Sequence, residues 1–349
     1  MYQGRYMINV KREKRHETPI VDFVLSNARD LYANFHALPI SHMKPGEKGY
    51  DKFKEIYGCK YLSLESTATG KIFDSFFYPE KAIKRAQYYA AELFGSKDTL
   101  FGTCGTTISN YIVVDALVRE REYVLLDRES HQSMHFAVNN QKANVDYFYS
   151  KQYCTRTGRK YLEIDHLIEK IVKAKQENRH YSVLILNACS YDGVLCNVYE
   201  VIKRISEISP ETKFIIDEAW TSAFYFDDDL IKYTAGYAAK KLNNKVDIVS
   251  TQSAHKSLMS LRQASMIHVF AQDSVIDQIY RSRFKYHSTS PNYPILASID
   301  AARSHMQTYG KELMSKAMLY ANFLRKSLLD DPLLSEFLYF NSDKHVAEE

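Results

Sequence analysis

The chain has 349 residues, 45% hydrophobic and 25% charged, and a formal net charge of +4. This length suits one large domain with appendages, or two domains, and the composition excludes wholesale disorder. So small a charge gives no nucleic-acid-binding face, and no run of about 18 apolar residues offers a membrane span.

Cys59, Cys104, Cys154, Cys189 and Cys196 form an odd set without a C-x-x-C pair. That pattern argues against a zinc site or disulfide framework and fits reduced thiols in a cytoplasmic protein. Residues 1–16 lack the apolar core of a signal peptide. Their basic cluster, Lys11 to His16 (KREKRH), reads as a solvated arm.

The first helix signal is Thr18-Pro19, a cap residue followed by proline, opening an amphipathic stretch to about Tyr32. Residues 36–75 concentrate turn chemistry (Pro39, Pro45-Gly46, Gly49, Gly58, Gly70) and predict an irregular connector. From Pro79 a helix is predicted to run to Gly95, a C-cap residue. Short aliphatic runs then alternate with helical stretches. The runs are YVLLD (123–127), VDYFY (145–149), VLILN (183–187), FIIDE (214–218), DIVS (247–250) and MIHVF (266–270). Helices are predicted at about 106–120, 164–178, 198–208 and 229–242. Such alternation implies βαβ units and an α/β fold with a mostly parallel sheet between helices. Ligands of such sheets sit beyond the strands' carboxyl ends.

Four stretches there carry chemistry. Gly102-Thr103-Cys104-Gly105-Thr106-Thr107 precedes a helix. Glycine permits close backbone approach, free helix N–H groups attract an anion, and two threonines add donors. This is a phosphate cup or a capped turn, but no Walker loop, because no Gly-Lys-Ser/Thr follows. His131 follows strand YVLLD and could face a ligand, although an isolated histidine there is more often loop surface. Asp217 ends an apolar strand before Glu218, Ala219 and Trp220. A buried aspartate needs a cation, a metal or a protonated heterocyclic nitrogen, unless it caps a helix. No H-x-E or E-x-x-H cluster accompanies it to support a metal. Finally, Ser253, His255 and Lys256 follow strand DIVS. A lysine at a buried strand end is costly unless neutralised, and desolvation makes it a nucleophile. Together these form the parts list of a pyridoxal phosphate (PLP) site.

These residues resemble the bacterial ornithine/lysine/arginine decarboxylase family. The resemblance rests on AQYYAAELFGSKDTLFGTCGTTISN (86–110), DRESHQS (127–133), SYDGVLCNV (190–198), DEAW (217–220), STQSAHKSLMSLRQASMIHV (250–269) and HSTSPNYPILASIDAAR (287–303). TPIVDF (18–23) and FHALPISH (35–42) extend it, so it covers roughly residues 18–310. The family's compact F-H-x-P-G-H-x-G-G element is expanded here to FHALPISHMKPGEKGY.

The resemblance implies a PLP-dependent transferase fold, with an aspartate aminotransferase-like major domain and a seven-stranded type of sheet. It divides the chain into an arm and connector (1–75), a PLP-binding major domain (76–310) and the start of a truncated C-terminal region (311–349). It implies that Lys256 forms a Schiff base with PLP and that a quinonoid follows loss of CO2 from a basic amino acid. Thr106, Thr107 and Ser253 would bind the cofactor phosphate beside Gly105, with His255 at the same strand end. His131 would stack on the ring, Asp217 would pair with its nitrogen, and Trp220 would line the pocket. Lys256 or His255 would return the proton. Ser288 and Thr289 would reach the phosphate of a neighbouring subunit in a homodimer. Another PLP reaction (transamination or elimination), or a non-catalytic partner of a longer decarboxylase, remains open at this level.

Overall fold

The computed structural model describes residues 16–27, 50–65, 74–152 and 160–336. In chain order the elements begin with α1 (Pro19–Asn27), α2 (Tyr50–Leu64), α3 (Ala82–Phe94), β1 (Asp98–Gly102), α4 (Gly105–Leu117), β2 (Tyr123–Asp127), α5 (Gln132–Asn140) and β3 (Asn144–Phe148). There follow β4 (Lys151–Gln152), β5 (Lys160–Tyr161), α6 (Ile164–Gln176), β6 (Tyr181–Asn187), α7 (Val198–Ile208), β7 (Lys213–Asp217) and α8 (Ala235–Lys241). The last are β8 (Ile248–Gln252), α9 (Ala254–Ser257), β9 (Ser265–Phe270), α10 (Asp273–Tyr286) and α11 (Tyr293–Asp330).

Seven strands form one sheet in the order β1-β9-β8-β7-β6-β2-β3. Strands β8, β7, β6, β2 and β3 are parallel neighbours, whereas β9 is antiparallel to both β8 and β1. Side chains of a strand alternate between its faces. Thus Ile215 and Val249 pack with Val113, Val114, Met134 and Ile279 of α4, α5 and α10. Their neighbours Phe214, Ile216 and Ile248 pack with Ile171, Ile202, Ile205 and Ala238 of α6, α7 and α8. Burying such aliphatic side chains stabilises the fold by roughly 2 kcal/mol each. A third cluster joins α1, α3 and α11 through Ile20, Ile83, Phe94 and Leu296, against Phe101 and Met266 of the sheet edge.

The predicted alternation holds, with three differences. Within the stretch read as an irregular connector, residues 50–64 are helical, kinked at Gly58, whose φ of +72° suits glycine. Strand β1 was no more than a short apolar segment in the sequence, because its partner β9 is distant in the chain and only that pairing defines it. The helix predicted at 229–242 starts later, at Ala235, where Thr234 accepts a cap bond from the Tyr237 N–H. Helix α11 starts at the cap of Asn292, with Pro294 in its first turn, and runs for 38 residues past residue 310. At Gly310 an added Cβ would lie 2.5 Å from the ring of Phe226, so a close approach requires glycine there. Residues 28–49, which hold the FHALPISHMKPGEKGY element apart from its last tyrosine, lie outside the described residues.

Candidate active site

The carboxyl ends of β2, β7 and β8 and the start of α4 converge on one place. Asp217, the last residue of β7, is 3% exposed and faces the α4 layer. Its Oδ1 accepts the Ala219 N–H at 3.0 Å, and its Oδ2 accepts from Asn110 Nδ2 at 3.4 Å. Burial raises its pKa above the ordinary carboxylate value; the Ala219 N–H, His131, Asn110 and Lys256 pull it back. One short and one long hydrogen bond leave this carboxylate short of positive charge.

His131 caps α5 through Nδ1, which accepts the Ser133 N–H at 3.2 Å and lies 2.8 Å from Ser133 Oγ. A cap role and a role facing a ligand are therefore compatible in one residue. Nearby, Asp127 at the end of β2 is buried, and desolvation pushes its pKa up to about 6. It accepts the N–H groups of Glu129 and Asn187, fixing the loop that leads to His131.

The segment read as a phosphate cup or a capped turn lies at the start of α4. Gly105 has φ +74°, open space where a Cβ would stand, and an N–H bonded to the Gln263 carbonyl at 2.8 Å. Cys104 makes no side-chain cap, and among the described residues no hydrogen bond takes up the N–H groups of Thr106 and Thr107. Thr106 Oγ1 and Ser253 Oγ lie 2.6 Å apart, joining the two segments singled out in the sequence. Thr107 is exposed beside them. The cup is tied at Thr103, whose N–H donates to His287 Nε2 at 3.0 Å.

Lys256 sits in the single turn of α9, with Nζ 4.3 Å from the centre of the Trp220 ring. Trp220 is 44% exposed and meets Tyr191 edge-on at 6.4 Å. His255 turns Nδ1 to the Ala264 carbonyl at 2.9 Å, which secures the loop after α9. Ser288 and Thr289 are exposed on the loop between α10 and α11. That loop is held to Thr103 through His287 and Asn292, and no hydrogen bond among the described residues joins it to Thr106, Thr107 or Ser253.

These donors fit a phosphorylated pyridine. An uncapped helix start with two hydroxyls suits a phosphate dianion. A buried, under-paired carboxylate suits a pyridinium nitrogen, and an amine above an aromatic ring suits an aldehyde. Sequence reasoning did not single out Asn110, Ser133 or Thr251. Asn110 is one helical turn beyond Thr106, and that i, i+4 spacing was its only available signal.

The chain is 30% identical over 249 residues to the constitutive lysine decarboxylase of Escherichia coli, covering 70% of this chain and 34% of that protein. It is 25% identical over 323 residues to an arginine decarboxylase of Halalkalibacterium halodurans, covering 90% and 60%. The chain thus spans about one third to three fifths of these relatives. The fold superposes on the lysine decarboxylase of Francisella novicida with a TM-score of 0.76 and 23% identity, over 93% of this chain and 45% of that one. It is the architecture of fold-type I PLP-dependent enzymes. Residues 33–348 match the family model described as the Orn/Lys/Arg decarboxylase major domain, and the chain belongs to that family.

Proposed function

We propose that this chain is the PLP-bearing catalytic part of a decarboxylase that converts a basic amino acid (lysine, ornithine or arginine) to its amine and CO2. The observation that carries the reading is Asp217, buried at the end of β7 with a raised pKa and near both His131 and Lys256. A carboxylate so placed needs a cationic partner, and a protonated pyridine nitrogen supplies one. The relatives, a lysine and an arginine decarboxylase, support the substrate class.

PLP, when bound, supplies the electron sink for the bond that breaks. The chain does the rest. Gly105, Thr106, Thr107 and Ser253 hold the phosphate at the start of α4. Asp217, ionised, keeps the proton on the ring nitrogen. His131 would lie against the ring of the bound cofactor, and Trp220 would wall the pocket. Lys256 Nζ would be the amine that holds the cofactor's aldehyde carbon. After CO2 leaves, Lys256 Nζ, or the His255 ring beside it, returns one proton to the substrate Cα. Ser288 and Thr289, exposed on their loop, would help to hold the cofactor phosphate of a second copy in a homodimer.

The test is CO2 release from lysine, ornithine, arginine and the other common amino acids in the presence of PLP, with the amine counted alongside. One amine per CO2 is expected from a basic substrate. Keto acid without CO2 would replace decarboxylation by transamination. A PLP absorption band that borohydride does not fix onto Lys256, or that survives Lys256→Ala, would overturn the cofactor assignment.

A further inference from the structure

Asn110 is 1% exposed and meets three elements at once. Its Oδ1 accepts the Thr251 hydroxyl of β8 at 2.7 Å. Its Nδ2 lies 2.9 Å from Ser133 Oγ at the start of α5 and 3.4 Å from Asp217 Oδ2 on β7. Chemistry settles which end of the amide is which: an ionised carboxylate only accepts, so the atom facing Asp217 is the NH2. The same NH2 donates to Ser133 Oγ, and the Ser133 proton is then free to point to His131 Nδ1, 2.8 Å away. A backbone N–H can only donate, and that of Ser133 also meets Nδ1, at 3.2 Å. Nδ1 accepts on both counts, which leaves the ring proton on Nε2.

We infer that Asn110 is a positioning residue: by donating to Ser133 it fixes the direction of the hydrogen-bond chain and holds His131 as the neutral Nε2–H tautomer. Two donors aimed at Nδ1 keep a proton off that nitrogen. A neutral ring stacks on a cationic pyridine without repulsion, and its one remaining donor is Nε2–H. The assignment deepens the PLP reading, but the tautomer itself belongs to the chain with or without cofactor. The chain also explains why the site residues of β7, β8 and α5 are coupled: one amide sets the Asp217 carboxylate and the His131 ring together.

Ring 15N NMR of the full chain labelled at histidine tests this, with and without PLP, the His131 signals being identified by their loss in His131→Asn. The wild type is expected to show an unprotonated Nδ1 and a protonated Nε2. Asn110→Asp replaces the donor by an acceptor at nearly constant shape, so the Ser133 hydroxyl turns away from His131. The Ser133 N–H still meets Nδ1, so a fraction of Nδ1-protonated ring should then appear beside the wild-type form, and PLP should bind about tenfold more weakly, equivalent to about 1.4 kcal/mol. Ser133→Ala likewise retains the backbone donor and should give a similar partial change. A protonated Nδ1 in the wild type, or Asn110→Asp without any change of tautomer, would overturn the inference. The wild-type spectrum decides even if the variant does not fold. The expected tautomer without PLP binding would leave the network standing and remove the cofactor reading. PLP binding with the wrong tautomer would do the reverse.

Discussion

The side of the sheet that carries Asp217 and the side that carries Glu218 start from the same strand ends. Both carboxylates are buried, at 3% and 0% exposure, and burial raises the pKa of each. Asp217 ends β7 and Glu218 follows it directly, and the two turn to opposite layers, one toward Asn110 of α4 and the other toward Ala235 of α8. Glu218 accepts from the Ala235 N–H at 2.7 Å, Gln252 Nε2 at 3.1 Å and the Tyr225 hydroxyl at 3.1 Å. Gln252 passes the pattern on, since its Oε1 accepts from His268 Nε2 at 3.0 Å, and His268 Nδ1 meets Thr99 Oγ1 at 2.8 Å. That side is saturated by the protein and ties β7, β8, β9 and β1 together. Asp217 is given one short bond and one long one. The difference teaches that a buried carboxylate alone does not mark a site; what the fold withholds from it does.

The sharpest break of this comparison is Asp217→Ala in decarboxylation. A loss on the order of 10³-fold in kcat, about 4 kcal/mol, is expected with the folded circular-dichroism spectrum kept. A loss below tenfold would make Asp217 a structural residue like its neighbour. Glu218→Ala should do the opposite, costing about 3 kcal/mol in urea unfolding because its donors are left buried and unpaired. Activity per folded molecule should change little.

A third way to sharpen the contrast is acid titration. Desolvation lowers the His268 pKa to about 3, so the folded chain resists a proton that the unfolded chain accepts below its ordinary value of 6.5. The stability it contributes is complete above pH 6.5 and is lost as pH falls toward 3, by about 2 kcal/mol at pH 5. Urea midpoints measured from pH 7 to 5 should therefore flatten in His268→Gln, and an unchanged slope would refute the assignment. The smallest effect belongs to the cup. Thr106→Val, which removes one hydroxyl 2.6 Å from Ser253, should weaken PLP binding about tenfold, or about 1.4 kcal/mol, read by equilibrium absorbance.

Most of the sheet was legible because strands buried on both faces are nearly continuous aliphatic runs. YVLLD and FIID sit in β2 and β7 as the sequence suggests, and Lys256 lies just beyond β8. The resemblance assigns Thr106 and Ser253 to one phosphate, and the fold brings their hydroxyls together across 147 residues. Asn110 was illegible for a physical reason. Its polar side chain falls inside an apolar helical run, and its three partners come from three other elements. The opposite fates of Asp217 and Glu218 follow from the strand alternation, yet the saturation of Glu218 depends on Tyr225 and Ala235, which no local pattern connects to it.

The pairing of β1 with β9 has a consequence for how the chain matures. The edge strand that launches the cup is laid down early in synthesis, but its partner arrives about 165 residues later. Thr103 waits longer still, for His287, and α1 is fastened by the Ile20 N–H to Asp300 at a separation of 280 residues. Closing such distant contacts is slow, and the aliphatic strands between them stay exposed to aggregation until the edge is completed. A cofactor held in the cup would engage only a chain that has finished this closure. By mass action its presence would draw nascent molecules through the last, slowest step of assembly.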